Sequence, residues 1–181
     1  LDKDTSGLML AAKNDEAHRH LARQFAEHSL ERAYSAVVWG VPRERSGEIS
    51  GNIGRDPRNR KRMAVVERGG KPAVTRFKVR RALGDHAALL ECRLATGRTH
   101  QIRVHLAALG HALVGDPLYG PGNKRKLHAG AEEFVRAANE LGRQALHAFL
   151  IGFSHPRSGE RLRFESELPN DINSLLNFPG T

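Results

Sequence analysis

The chain has 181 residues, 39% of them hydrophobic and 27% charged, which suits one globular domain with a real core and excludes a disordered chain. Lys and Arg total 29 against 20 Asp and Glu, a formal net charge of +9 with a pI near 10.4, which favours a polyanionic partner such as nucleic acid. No apolar run reaches the ~20 residues that a membrane-spanning helix requires, so no membrane partner is expected.

In chain order, residues 7–13 (GLMLAAK) predict a short buried strand. Residues 15–29 predict an amphipathic helix with Ala17, Leu21, Phe25 and Ala26 on one face, capped by Asn14 or Asp15. Residues 31–41 (ERAYSAVVWGV) are rich in aromatic and β-branched side chains and predict a strand. The Pro-, Gly-, Ser- and Arg-rich stretch from Pro42 to Arg60 reads as an exposed loop. Three strands follow, in RMAVVER, PAVTRFKVRRAL and HAALLECRLA, with Gly69-Gly70 and Gly84-Asp85 as hairpin turns. Consecutive strands of this kind favour antiparallel pairing. Cys92, the lone cysteine, reads as a small core or edge residue and fits a reducing cytoplasm.

Residues 98–110 (RTHQIRVHLAALG) predict a helix that buries Ile102, Leu106 and Leu109, with Gly110 ending it. A turn-rich loop, HALVGDPLYGPG, comes next. A second amphipathic helix follows over 131–141, then strands in ALHAFLIGF and ERLRFES, and a short closing helix in LPNDINSLLNF. The fold class is α/β in the α+β sense, a single domain over 1–181 with no internal repeat.

The positive charge is clustered. Arg55, Arg58, Arg60, Lys61 and Arg62 form one group, Arg76, Lys78, Arg80 and Arg81 a second, and Lys124, Arg125 and Lys126 a third. Three such clusters read better as a nucleic-acid surface than as solvated edges. Phosphate-loop, dinucleotide, zinc-protease and nucleophile-elbow signatures are absent from the sequence. The ten histidines lack metal-ligand spacing, His100 and His105 being five apart, and read as surface or structural residues with no metal site expected.

What remains is an aspartate before Thr-Ser-Gly, a tyrosine in a strand, and Gly-Arg-Thr-His-Gln-Ile-Arg entering a helix. An aspartate can serve as nucleophile or base, an arginine keeps it ionised, and a tyrosine can stack on a base. Together they could hold a flipped-out nucleobase. On chemistry alone, Asp2 and Asp4 are equal candidates to attack.

These segments resemble the RluA/RluD-type pseudouridine synthases. LDKDTSGLMLAAK is similar to that family's His-Arg-Leu-Asp-x-x-Thr-Ser/Thr-Gly motif. ERAYSAVVWG is similar to its Lys-x-Tyr-x-Ala-x-Val-x-Gly strand, with Arg32 in place of the common Lys, and TGRTHQIRVHLAALGHALVGDPLYG to its third motif. IGRDPRNRKRMAV, RQALHAFLIGFSHPRSGE and the late Leu-Pro-Asn-Asp extend the likeness along nearly the whole chain.

The resemblance implies a pseudouridine synthase fold, a mixed and mainly antiparallel sheet flanked by helices and basic loops. It implies isomerisation of uridine in RNA, most naturally 23S-type large-subunit ribosomal RNA, by a cytoplasmic monomer with no cofactor. Asp2 matches the catalytic aspartate and Asp4 a variable position. Arg103 matches the arginine that pairs with it, and Tyr34 the residue that stacks on uracil. Arg98 and His100 become pocket or phosphate contacts and Ile102 an apolar wall, while Arg58, Arg60 and Lys61 are expected on the RNA backbone. The His-Arg pair expected ahead of Leu1 is missing, so an N-terminal part of the catalytic domain is expected outside this sequence, with Asp2 at a fraying end. Two other family-level outcomes are a non-catalytic RNA-binding or ribosome-assembly module and a member acting on tRNA. A metal-dependent nuclease or phosphatase using Asp2, Asp4 and a histidine is a further reading.

Overall fold

A computed structural model describes residues 1–120 and 131–178. Its described frame is an eight-stranded sheet in the order β1-β7-β2-β6-β5-β3-β4, with β8 also on β7. The strands are β1 (Ser6–Gly7), β2 (Glu31–Trp39), β3 (Ser46–Arg55), β4 (Met63–Val66), β5 (Lys71–Leu83), β6 (Ala87–Leu94), β7 (Leu146–Ser154) and β8 (Arg161–Glu165). Among these described strands β1 and β7 pair in parallel, and the other pairs run antiparallel. The mixed, mainly antiparallel α+β sheet implied by the resemblance is the one found, with the antiparallel pairing expected of the consecutive strands. The Lys124 cluster lies outside the described residues.

Side-chain alternation along β2 explains how both faces are covered. Ala36 and Val38 point to a cluster with Phe77, Leu90, Ile102 and Leu106, while Val37 and Trp39 point to one with Leu83, Phe134, Ile172 and Leu175. The first cluster is closed by α2 (Gln101–Ala108), the second by α3 (Glu132–Glu140), α4 (Asn170–Ser174) and the 3₁₀ turn Leu175–Asn177. A strand buried on both faces reads as the continuous apolar run seen in AVVW. Cys92 is fully buried in the first cluster, and burial pushes its thiol up to about 12, so it is a packing residue.

Four sequence expectations change. The predicted loop over 42–60 contains strand β3. Its glycines lie under neighbouring side chains: a Cβ at Gly47 would stand 2.9 Å from the Phe77 ring, and one at Gly51 2.8 Å from Val65. Tertiary packing therefore uses residues that locally signal a loop. The strand expected over 7–13 is only Ser6–Gly7. Leu8 N–H still donates to the Ala148 carbonyl at 2.9 Å, after which the chain leaves β7 and Met9 is 71% exposed.

Helix α1 (Asp15–Ala26) starts on Asn14, whose Oδ1 accepts from Ala17 N–H at 2.9 Å, as expected. It ends earlier than 29 and turns Leu21 and Gln24 inward, with Phe25 left 41% exposed. Gln24 can be buried because its amide pairs with the Ser154 backbone, Nε2 donating at 2.8 Å and Oε1 accepting at 2.8 Å. Helix α2 carries no simple stripe. Six of its eight residues are buried, Arg103 and His105 included, while Leu109 is exposed. A helix packed between sheet and loops on several sides buries more than one face. Gly110, at φ 89°, does end it. Gly69 and Gly70, at φ 72° and 74°, turn β4 into β5.

Candidate active site

Asp2 sits at the rim of a cleft of about 980 Å³ that Tyr34, Arg98 and Ile102 also line. The chain around Asp2 is tied down rather than free. Thr5 N–H donates to the Asp2 carbonyl at 3.1 Å, and Ser6 and Gly7 pair with His147 and Ala148 of β7. Gln144, buried, donates from Nε2 to the Lys3 carbonyl at 2.7 Å and to Thr5 Oγ1 at 3.0 Å. Gly7, at φ 110°, lies so close to β7 that a Cβ would collide with the Ala148 carbonyl. Asp4, at φ 69°, is exposed and gives its carbonyl to Arg143. Of the two aspartates, Asp2 alone meets the arginine.

That arginine is Arg103 on α2. Its Nη1 lies 3.4 Å from Asp2 Oδ2, while Nε and Nη2 donate to the two oxygens of Asp116 at 2.7 and 2.9 Å. The Asp116 carboxylate is fully buried, and Oδ1 also accepts the backbone N–H groups of Leu118 and Tyr119, both at 2.9 Å. Burial pushes the Asp116 carboxyl up, but Arg103 and those two amides outweigh it and hold it below the usual carboxylate range. Burial likewise pulls Arg103 down, and Asp116 with Asp2 more than restores it. Arg103 is therefore a fixed cation whose orientation is set mainly by Asp116.

Tyr34 reaches the cleft from β2, where pairing with β7 shifts register between Ala33 and Tyr34. Burial pushes its hydroxyl pKa up, partly opposed by Arg32 and assisted by Asp2, so the ring stays neutral. Ile102 is 4% exposed and forms the apolar floor on the α2 side. Arg98 is held by its Nε on the Pro72 carbonyl at 3.1 Å and by its N–H on Gln101 Oε1 at 2.9 Å. Gln101 is saturated: Oε1 also accepts from Thr96, and Nε2 donates to the Val74 carbonyl and Thr75 Oγ1. This network fixes the turn that delivers α2.

His100 does not line the cleft. It takes a left-handed conformation, φ 56° and ψ 22°, at the head of α2, and its Nδ1 is 2.8 Å from the Tyr119 hydroxyl. Burial pulls its pKa down, with Asp2 opposing. Tyr119 also accepts from Met63 N–H at 2.8 Å and is flanked by the guanidinium groups of Arg62 and Arg103, 5.1 and 5.0 Å from its ring centre.

Arg58, Arg60 and Lys61 lie in the exposed β3–β4 connection and do not line the cleft. Asp56 Oδ1 accepts Arg58 N–H and Asn59 Oδ1 accepts Lys61 N–H, and Arg58, Arg60 and Lys61 are all exposed. The loop joins the site through Arg62, Met63 and Tyr119. Among the described residues no three His, Cys, Asp or Glu side chains are grouped to hold a metal ion. Nor is any described helix long and apolar enough to cross a membrane. Asp116 and Tyr119 fall in the turn-rich loop that ends the stretch resembling the family's third motif, where the sequence reading gives neither a role. Asp-Pro followed by Gly signals the turn there, but not the buried partner.

A family profile described as RNA pseudouridylate synthase matches residues 1–108. The chain is 47% identical over 177 residues to the ribosomal large subunit pseudouridine synthase D of Zymomonas mobilis, covering 97% of this chain and 53% of that protein. It is 51% identical over 178 residues to the protein of that name from Neisseria meningitidis serogroup B, covering 97% and 46%. The chain thus spans about half the length of these curated relatives. Among solved structures, human RNA pseudouridylate synthase domain containing 4 superposes with a TM-score of 0.76 at 25% identity, covering 97% of this chain and 73% of that one.

Proposed function

The chain belongs to the RNA pseudouridylate synthase family, of the RluA/RluD type, and on that premise we propose that it isomerises uridines of large-subunit ribosomal RNA to pseudouridine. The observation that carries this reading is the Asp2–Arg103 contact at the rim of a cleft whose wall presents Tyr34. A carboxylate beside a fixed cation, facing an aromatic ring, suits attack on a nucleoside held by stacking.

The target uridine first leaves its stack, at a cost of a few kcal/mol, and enters the cleft. Tyr34 stacks on the uracil and Ile102 closes its apolar side. Asp2 attacks either C1′ of the ribose or C6 of the ring. The N1–C1′ bond breaks, the base turns, C5 bonds to C1′, and the bond to Asp2 breaks, returning its carboxylate. The C5 proton is lost and N1 gains one, so the product is an isomer of the substrate. Arg103, clamped by Asp116, pairs with and orients the Asp2 carboxylate, and Arg58, Arg60 and Lys61 hold RNA phosphates.

The test is pseudouridine-specific chemical mapping of large-subunit ribosomal RNA and of tRNA, each incubated with wild-type protein and with Asp2→Asn. Turnover by the wild type and none by the variant is expected, with RNA binding kept by both. Near-normal turnover by the variant would remove Asp2 from its role. Binding without turnover by the wild type would leave an RNA-binding module, and product confined to tRNA would redirect the substrate.

A further inference from the structure

Arg32 stands two residues before Tyr34 on β2, and both side chains line the cleft. Among the described residues no carboxylate pairs with it, and its Nε is buried without a hydrogen-bond partner. Glu31, its acidic neighbour in the chain, is engaged with Arg93 at 3.1 Å and Arg163 at 3.5 Å. Arg32 instead meets an aromatic face: its guanidinium carbon lies 5.4 Å from the centre of the Phe25 ring. Gly97 leaves the space for it, since a Cβ there would stand 2.9 Å from Arg32 Nη1. Burial also pulls the Arg32 pKa down, the mark of a cation losing water without gaining a counter-ion.

Arg32 is half-buried, so its guanidinium has lost part of its hydration without an anion to replace it, and a chain that keeps such a cation beside a cleft gains when an anion arrives. Phe25 is 41% exposed although it belongs to an amphipathic helix, and it borders the same cleft. The cleft volume of about 980 Å³ lies at the top of the ~300–1,000 Å³ usual for small-ligand sites and leaves room beyond one nucleoside. A guanidinium lying over an exposed ring is a platform for a phosphodiester and a stacked base.

We propose that Arg32 and Phe25 form a second nucleotide subsite of the cleft, which takes the phosphodiester and the base of an unpaired ribonucleotide adjoining the flipped uridine. Arg32 binds the linking phosphate and Phe25 stacks on the neighbouring base. The subsite rests on the RNA-modifying reading of Asp2, Tyr34 and Arg103, and it adds to that reading a requirement for single-stranded RNA on one side of the target.

The test compares the dinucleotide UpU with its uncharged methylphosphonate analogue, each titrated by NMR against wild-type protein, Arg32→Gln and Phe25→Ala. Wild-type protein is expected to bind UpU about tenfold more tightly than the analogue. Arg32→Gln removes that preference by weakening UpU alone. Phe25→Ala weakens both dinucleotides alike, about tenfold. Equal binding of the two dinucleotides by the wild type overturns the phosphate contact, and needs no variant to fold. Unchanged binding by Phe25→Ala overturns the stacking contact. Thermal unfolding gives a second check: Arg32→Met, which loses only its contact with the Phe25 ring, should unfold close to wild type, and a large fall in the midpoint would mean that Arg32 has a further structural partner. Mapping of ribosomal RNA with the same preparations separates the two readings. Turnover without linkage preference overturns the subsite alone, and linkage preference without turnover overturns the synthase reading alone.

Discussion

Arg103 is shared unequally between two carboxylates, with two bonds of 2.7 and 2.9 Å to Asp116 and one of 3.4 Å to Asp2. The buried pair is the clamp, and the longer contact is partly exposed at the cleft. Asp116→Asn breaks the clamp, places an amide against Arg103, and leaves a buried cation short of charge. A drop of about 3–5 kcal/mol in urea unfolding is expected. Asp2→Asn removes only the longer, partly exposed contact, so its cost should stay within about 1 kcal/mol. Equal destabilisation by both variants would contradict this division of labour.

The same clamp has a pH signature. The Asp116 carboxyl is held below its unfolded value, so its contribution is present above about pH 4 and is lost as pH falls through the folded value. His105 acts in a higher window. It is fully buried, with Nδ1 2.9 Å from Thr75 Oγ1, and burial pulls its pKa down. The unfolded chain therefore binds the proton more readily, and stability falls as pH drops below about 6.5 towards the folded value. His105→Gln should flatten the change in unfolding free energy between about pH 7.5 and 5.5 while leaving the Asp116 limb near pH 4 in place. An unaltered slope in the upper window would assign that limb to other histidines.

Which residues could be read from sequence follows from how local their signals are. Tyr34 and Ile102 occupy positions whose periodicity is visible in a short window, and the motif containing Arg103 adds its pairing with Asp2. Asp116 could not be read in this way, because its partner is a buried arginine supplied by another element. Strand β3 was hidden for a related reason. Gly47 and Gly51 lower local strand propensity, yet the space they leave accepts Phe77 and Val65. Leu109 shows the converse, since a helical spacing that fits an apolar stripe still leaves it 42% exposed.

Tyr34 separates stacking from hydroxyl chemistry. Its hydroxyl pKa is pushed up by burial, so the ring is neutral across the working pH range. Tyr34→Phe keeps the ring and should retain most of the activity. Tyr34→Ala removes the stacking face, worth about 1–3 kcal/mol, or roughly 5- to 150-fold in kcat/KM. Steady-state assays on ribosomal RNA decide it: a Phe variant as impaired as the Ala variant would give the hydroxyl the larger part.

The basic β3–β4 loop should govern affinity rather than chemistry. Arg58, Arg60 and Lys61 are exposed and do not line the cleft, and the Asp56 and Asn59 side chains hold the loop backbone. Removing one phosphate-binding cation should lower the slope of log affinity against log salt by about 0.7–0.9. Replacing all three with Gln therefore predicts a slope smaller by up to about 2–3, with weaker binding at low salt and little change at high salt. Turnover at saturating RNA should remain, because Met63 N–H and Arg62, which reach Tyr119, are untouched. Filter-binding titrations across a salt series, paired with single-turnover rates, test both halves. A preserved slope would take the loop off the RNA, and a fall in the saturated rate would mean that the loop transmits RNA binding to Arg103 through Tyr119.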